Sequence, residues 1–256
     1  MDMNHPPDRM LLKVKPEIVI TFKLLYKYIT GSVELGIVLS FFFLWGCGIP
    51  TYPHLDPPES STIKEPLEAE KIFQFGNNPD NNANYFEGYE LYYKFYSTDP
   101  SDTNLEEEKD SIDLNPSLEK LLLLKYNRMY SLDDLTQSPL IPIYSENKKE
   151  SFYIYIDFSG ITLTLNPYPV VRHEYLAQEI KAARYVSTTD PEYKELVGFS
   201  PSDLTAEYSD ISEDIISEFC SNIYLVLYVL TYGSYDLIHI LHSKPAYLGK
   251  IILPTD

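Results

Sequence analysis

Two stretches of the chain alternate apolar and polar positions with a period of two, and a third is apolar on both faces. In residues 85–96, YFEGYELYYKFY, the side chains of Tyr89, Leu91, Tyr93 and Phe95 share one face, and Gly88, Glu90, Tyr92, Lys94 and Tyr96 share the other. The spacing predicts that the first face is core and the second wet. In residues 151–158, Phe152, Ile154, Ile156 and Phe158 oppose Tyr153, Tyr155 and Asp157, and with ITLTLNPYPVVRHEY after Gly160 residues 151–175 read as a hairpin with an extension. Residues 223–232, IYLVLYVLTY, are rich in β-branched and aromatic side chains and mark a central strand, expected beside 85–96.

Weaker signals fill the intervals. IFQF at 72–75 is a short strand candidate and GNNPDNNAN after it a loop; PLIPIY at 139–144 reads as an edge strand because of its prolines. After a turn at Gly233-Ser234, residues 237–254 supply one or two closing strands. Helical spacing is confined to short pieces. Asn115-Pro116-Ser117 offers a cap and a first-turn proline for a helix at about 116–127, carrying Leu118, Leu121 and Leu122. The acidic run 101–115 before it reads as exposed, residues 176–185 as a helical turn or a loop, and 210–219 as a short helix with Asp210 and Glu213 at capping-box spacing.

Upstream of all this, residues 35–46 carry no charge and run directly into Cys47, with Lys23 and Lys27 before them and Glu34 and Pro50 bracketing the run. A membrane-spanning helix needs about 20 apolar residues. Twelve uncharged residues with a positive flank and a small residue before a cysteine are instead the pattern of a processed secretory signal. Residues 1–46 therefore read as a signal segment, left out of the fold. Residues 48–66, GIPTYPHLDPPESSTIKEP, hold five prolines, so 47–70 reads as an extended tether. At about 3.1 Å per residue such a tether could hold a domain up to about 60 Å from a bilayer. The domain then spans 71–256, with an insertion at about 97–138.

Leu44-Trp45-Gly46-Cys47 resembles the lipobox of bacterial lipoproteins, in a relaxed version with a bulky residue at Trp45, as in spirochaete lipoproteins. The resemblance implies that Cys47 receives a diacylglyceryl group and becomes the first residue of the mature protein. The run C-G-I-P-x-Y-x-x-L-x-P-P from Cys47, and YGSYDLIHILHSKPAYLG near the end, look like spirochaete lipoproteins of unknown function. GYELYYKFY resembles the third strand of a fibronectin type III domain, and IYLVLYVLTYG with the later Ser-Lys-Pro resembles its sixth and seventh. That likeness implies a mainly β, immunoglobulin/fibronectin type III-like sandwich with short helical insertions. The chain departs from it in being longer than the roughly 100 residues such a sandwich needs, and in having no tryptophan after the leader.

Charge narrows the partners. The chain has 20 Lys and Arg against 38 Asp and Glu; removing residues 1–46 takes away five basic and four acidic residues and leaves a net charge of −19. Such a surface repels phosphate backbones, so nucleic acid is excluded, and the membrane is reached through the lipid anchor alone. With Cys47 acylated, Cys220 has no partner for a disulfide and reads as a small buried hydrophobe.

The search for catalytic chemistry returns no G-x-S-x-G, G-x-G-x-x-G, Walker loop or H-E-x-x-H. No metal or cofactor is expected: His239 and His242, three apart on a strand, face opposite ways, and so do His173 and Glu174. Asp133-Asp134 and residues 106–108 (Glu-Glu-Glu) read as solvated surface. The sequence points to a non-enzymatic, lipid-anchored module of the cell envelope, at the outer membrane or the periplasmic face of the inner membrane. It would bind a protein or glycan through exposed Tyr92, Tyr96, Tyr153 and Tyr155, since tyrosine offers rigid apolar area with a polar tip. The alternative is an envelope hydrolase acting on glycan or peptidoglycan through paired carboxylates, one of them with a raised pKa.

Overall fold

The computed structural model describes residues 53–102, 104–161, 166–211, 222–236 and 238–253; the signal segment, Cys47, Cys220 and the part of the expected 210–219 helix from residue 212 onward lie outside them. The strands are β1 (Ile72–Gly76), β2 (Phe86–Tyr96), β3 (Asn127–Ser131), β4 (Ile141–Pro142), β5 (Tyr153–Asp157), β6 (Val170–Arg172), β7 (Ile180–Ser187), β8 (Lys194–Val197), β9 (Ile223–Ser234), β10 (Ile240–His242) and β11 (Ala246–Leu253). Two helices, α1 (Leu105–Leu114) and α2 (Leu118–Leu123), lie between β2 and β3. Every pairing is antiparallel, in the order β1-β5-β6-β7-β3-β2-β9-β10, with β11 also on β9, β4 on β2 and β8 on β7. The domain is thus mainly β, as the alternation predicts. Hydrogen bonds trace one curled sheet, so the sandwich reading is carried only at the level of a mainly β domain.

The two best-patterned strands are neighbours. β2 lies along β9 from Phe86↔Gly233 to Tyr96↔Tyr224, and β9 is flanked on its other side by β10 and β11. A strand paired on both edges and apolar on both faces needs cover on both faces, and the domain supplies it. On one side Tyr89, Leu91, Tyr93 and Phe95 join Leu225, Leu227 and Val229 in the main core, with Phe73, Phe75, Ile154 and Ile156 from β1 and β5. On the other side α1 and α2 cover Tyr92, Val226, Tyr228 and Leu230 with Leu105, Ile112, Leu121 and Tyr126. Gly88, with φ of 154°, lets β4 close on β2: a Cβ there would stand 2.0 Å from the carbonyl oxygen of Ile141.

Several expectations are corrected by this arrangement. The face carrying Glu90 and Tyr92 is not wet: the two residues are 2% and 3% exposed. The acidic run, read as exposed, forms α1: its acidic side chains are largely at the surface, Glu106, Glu107 and Glu108 sit in the first turn, where the helix dipole favours negative charge, but Leu105 and Ile112 are buried. Asn115 ends α1 rather than starting the next helix, so α2 is capped by Ser117, whose hydroxyl accepts from the Lys120 amide. α2 stops at Leu123 because Lys125, at φ 64°, makes a left-handed turn: its amide donates to Leu122 and that of Tyr126 to Leu121. Burial of Leu121 against Tyr126 holds that turn without a glycine.

Residues 180–187 form β7 rather than a helical turn or loop. The polar Lys181 and Arg184 interrupt its apolar pattern, yet Arg184 is fully buried. Residues 53–66, read as part of a tether, lie against the sheet instead. Leu55 is in the core, the Thr231 hydroxyl donates to the Asp56 carbonyl at 2.7 Å, and Lys64 bridges to Gln74.

Candidate functional site

On the helix-covered side of the sheet, a carboxylate is buried at the start of β2's alternation. The two oxygens of Glu90 take three hydrogen bonds and one ion pair: Tyr92 Oη at 2.8 Å and His242 Nε2 at 3.2 Å on Oε2, Ser138 Oγ at 3.2 Å on Oε1, and a guanidinium nitrogen of Arg128 at 2.9 Å from Oε1, itself donating to the Gln137 carbonyl and to Ser138 Oγ. Burial pushes the Glu90 pKa up, but the hydrogen bond from His242 and the positive charge of Arg128 outweigh it and hold the group below its ordinary value. Because an ionised carboxylate only accepts, Nε2 of His242 carries the proton that points at Glu90. The same surroundings raise the Tyr92 hydroxyl, through burial and the neighbouring negative charge.

His242 joins this buried group to a cleft of about 530 Å³. The cleft is bounded by residues 54–57 before the sheet, 116–119 at the start of α2, and 240 and 242–244 at β10 and just after it. His54, Asp56, Glu119 and Lys244 give it polar groups; Pro116, Leu118 and Ile240 give it apolar wall. The serine hydroxyls at its edge are committed to the backbone: Ser243 Oγ accepts from the Thr231 amide and donates to the Lys244 carbonyl, and Ser117 Oγ caps α2. Hydrogen bonding to its own backbone amide and to Ser117 lowers the Glu119 pKa.

The tyrosines singled out from sequence part company. Tyr92 is buried. Tyr96 is half-buried, its hydroxyl donating to Glu108 at 2.7 Å, and the same carboxylate takes Lys94 at 2.5 Å. Tyr153 and Tyr155, on the outer face of β5, stay at the surface with ring centroids 6.5 Å apart, while Ile154 and Ile156 point into the core. Cys47 lies outside the described residues.

The remaining candidates have local partners. His239 bonds Asp236 at 2.9 Å in an exposed turn, which lowers the Asp236 pKa to about 2, and so shares no ligand with His242. Asp134 accepts from the Thr136 amide and hydroxyl. Burial beside Phe152 lowers the His173 pKa to about 4. Among the described residues no group of three or more His, Cys, Asp or Glu could hold a metal ion.

Sequence reasoning missed Glu90, Arg128 and His242 as a unit. The available signal was β9 itself: a strand apolar on both faces implies that the adjacent strand is covered on both faces too, which puts Glu90 indoors and obliges it to find partners. No family model, no curated protein and no solved structure matches the chain.

Proposed function

We propose that this chain is a bacterial envelope lipoprotein, held at the outer membrane or the periplasmic face of the inner membrane by lipid on Cys47. Its β domain acts as a non-enzymatic module that binds a protein or glycan. The anchor rests on the uncharged run 35–46, its upstream lysines and the cysteine that follows. Among the described residues, no helix is long and apolar enough to cross a membrane.

The observation that carries the binding reading is the tyrosine pair on the outer face of β5, where Tyr153 is exposed and Tyr155 partly so, with ring centroids 6.5 Å apart. Glu90, Asp99, Glu119, Asp134 and Asp236, the carboxylates perturbed among the described residues, are all lowered. A glycan hydrolase of the two-carboxylate kind needs one raised, to serve as acid near neutral pH. The tyrosine pair on β5 suits binding, since each ring offers rigid apolar area with a polar tip.

A hydrolase remains the second reading because one feature favours it: His242, oriented by a buried carboxylate, opens on a cleft, as a general base would. One experiment tests the anchor and two separate the readings. Metabolic labelling with a palmitate analogue should mark the wild-type protein and not Cys47→Ser; equal labelling would remove the anchor from the proposal. Pull-down from the protein's own membranes should recover a partner that is lost with Tyr153→Ser/Tyr155→Ser and kept with His242→Gln. Turnover of peptidoglycan by the wild type, abolished in His242→Gln, would establish the hydrolase instead.

A further inference from the structure

We infer that the outer face of β5 and its two neighbours takes an extended, uncharged oligosaccharide, with successive sugars on Tyr153 and Tyr155; this rests on the binding reading above, which the same tyrosines carry. The strand register assembles the surface. Gln74 of β1, Tyr155 of β5 and Arg172 of β6 are paired in one row across three strands, so their side chains leave the sheet on the same side, with Cβ atoms about 5 Å apart from one strand to the next. Ile72, Asp157 and Val170 form the row on one side of it, and Tyr153 stands in the row on the other, two residues along β5 from Tyr155. Phe73, Phe75, Ile154, Ile156 and Val171 alternate with these residues and belong to the core, which fixes this face as the outer one.

A sugar presents two kinds of surface, a C–H face that packs on aromatic rings and a rim of hydroxyls that donate and accept hydrogen bonds. The outer face of β5 answers both. Tyr153 is 46% exposed and Tyr155 partly so, and their rings lie 6.5 Å apart and tilted at 46°. Rings spaced along an extended strand suit an extended chain, the shape that β-1,4 linkage gives, and their tilt follows sugars that turn relative to one another. Beside them, the Gln74 amide makes no side-chain hydrogen bond with another described residue, and Arg172 gives one terminal nitrogen to Asp157 Oδ2 at 3.2 Å, so amide and guanidinium donors remain for hydroxyls. Arg172 and Asp157 balance each other and the chain carries a net charge of −18, which disfavours an acidic sugar. A protein partner fits less well: a specific interface buries about 800 Å² on each side around a water-excluding centre. Among the described residues β1, β5 and β6 expose no large aliphatic side chain, and Tyr153 is their one exposed large hydrophobic.

The test titrates two uncharged β-1,4-linked hexasaccharides, one of N-acetylglucosamine and one of glucose, into the full-length protein by calorimetry, in a detergent without a sugar headgroup. Tyr153→Ser, Tyr155→Ser and Gln74→Ala are compared with the wild type. Tyr153→Phe keeps the ring, and Tyr193→Ser, at an exposed tyrosine between β7 and β8, serves as the control. Thermal unfolding checks each variant, and Tyr155→Leu takes the place of Tyr155→Ser if the serine variant does not fold.

At least one hexasaccharide should bind. Tyr153→Ser and Tyr155→Ser should each weaken it at least about fivefold and Gln74→Ala about threefold, while Tyr153→Phe and Tyr193→Ser change it less than about twofold. The matching monosaccharide, which reaches one ring at a time, should bind at least about tenfold more weakly. Absence of binding by both hexasaccharides at millimolar concentration would overturn the inference, and so would binding that both tyrosine variants leave unchanged. Tighter binding of a hexasaccharide of galacturonic acid would overturn the uncharged ligand. If no sugar binds while the membrane pull-down yields a protein that Tyr153→Ser/Tyr155→Ser loses, the surface takes a protein: the inference falls and the binding reading stands. If the tyrosine variants alter neither sugar binding nor the pull-down, both fall.

Discussion

Two buried charge networks hang from the two faces of β2, and they are built differently. On the core face, Arg184 is fully enclosed: Nε donates to the Gly198 carbonyl at 2.7 Å, one terminal nitrogen to both oxygens of Asp210 at 2.9 and 3.0 Å, and the other to the Asp203 carbonyl. Tyr93 completes Asp210 at 2.6 Å, and the guanidinium stands 5.4 to 5.7 Å from the rings of Phe95, Phe199 and Tyr208. On the helix face, Glu90 is equally buried, but Arg128 and His242 beside it are not: their side chains are 22% and 20% exposed, and Nε of Arg128 is buried without a partner among the described residues. The closed network can serve only to pin β2, β7 and the segment after β8 together. The open one ends at a cleft, where the energy of a buried carboxylate is used to orient a histidine that can meet something else.

The difference predicts an order of stabilities. Arg184→Met leaves the buried Asp210 carboxylate with the Tyr93 hydroxyl as its one side-chain partner among the described residues, and removing one member of such a pair costs about 3–5 kcal/mol. Urea unfolding should show that loss. A cost below about 1 kcal/mol would mean that water reaches Asp210 and that the network is not closed.

Glu90→Gln should cost less, about 1.5–3 kcal/mol at neutral pH, since Arg128 and His242 can turn to solvent for part of what they lose. It should also be the pH-sensitive change. The folded-state pKa of Glu90 lies below its ordinary value of 4.5, so its charge stabilises the fold above that value. The contribution is lost as pH falls through the lowered folded pKa. The gap between wild type and Glu90→Gln should therefore close in acid; a gap that stays constant down to the acid transition would show that the charge of Glu90 is not what holds the network.

The contrast also marks what could be read from the chain. The core face of β2 was legible because Tyr89, Leu91, Tyr93 and Phe95 alternate without a break, and the same is true of β5 and of β9. The other face of β2 was not, because its polar and aromatic side chains resemble a solvated surface; the cover that turns it into an interior comes from α2 and from α1, a ten-residue helix within an acidic run. Helix spacing in α1 rests on Leu105 and Ile112 alone among its buried positions, too sparse for periodicity to reveal. β7 was hidden by Arg184, since a charged residue in mid-strand breaks the pattern unless its partner, here Asp210 26 residues on, is known. The cleft was illegible for a related reason: His54, Glu119 and His242 come from three distant parts of the chain, and no spacing links them. Tyr153 and Tyr155 were legible as surface because both edges of β5 are paired while its outer face stays uncovered.

A finer comparison uses the two tyrosine hydroxyls, one in each network. Tyr93 donates to Asp210 at 2.6 Å and Tyr92 to Glu90 at 2.8 Å, both in buried surroundings. Tyr93→Phe should cost about 1.5–2 kcal/mol, the value of a hydrogen bond to a charged group, and Tyr92→Phe about 1 kcal/mol, because Glu90 keeps two other donors and its ion pair with Arg128. Double-mutant cycles with Asp210→Asn and Glu90→Gln would isolate each pair. Equal coupling energies would mean that the number of remaining donors does not matter, and the distinction between closed and open networks would lose its energetic content.

The smallest effect on stability is expected at the open end. His242→Gln keeps an N–H donor within reach of Glu90, loses a ring half-covered by Tyr232 at 5.5 Å, and leaves Arg128 and Tyr92 in place. The cost should stay within about 1 kcal/mol, the range of a partly exposed site away from the core. A residue whose removal hardly moves the unfolding midpoint, yet which a buried carboxylate holds in position, is placed for an encounter at the cleft and not for the fold. Chemical-shift changes in the variant should accordingly be confined to the cleft, at residues 54–57, 116–119 and 240–244, and to the groups His242 touches directly or through Glu90, at residues 90, 92, 128 and 232. A loss of 3 kcal/mol or more, comparable with that of Arg184→Met, would show instead that His242 is a structural member of its network. Both faces of β2 would then be pinned in the same way, and the cleft would be a by-product of packing.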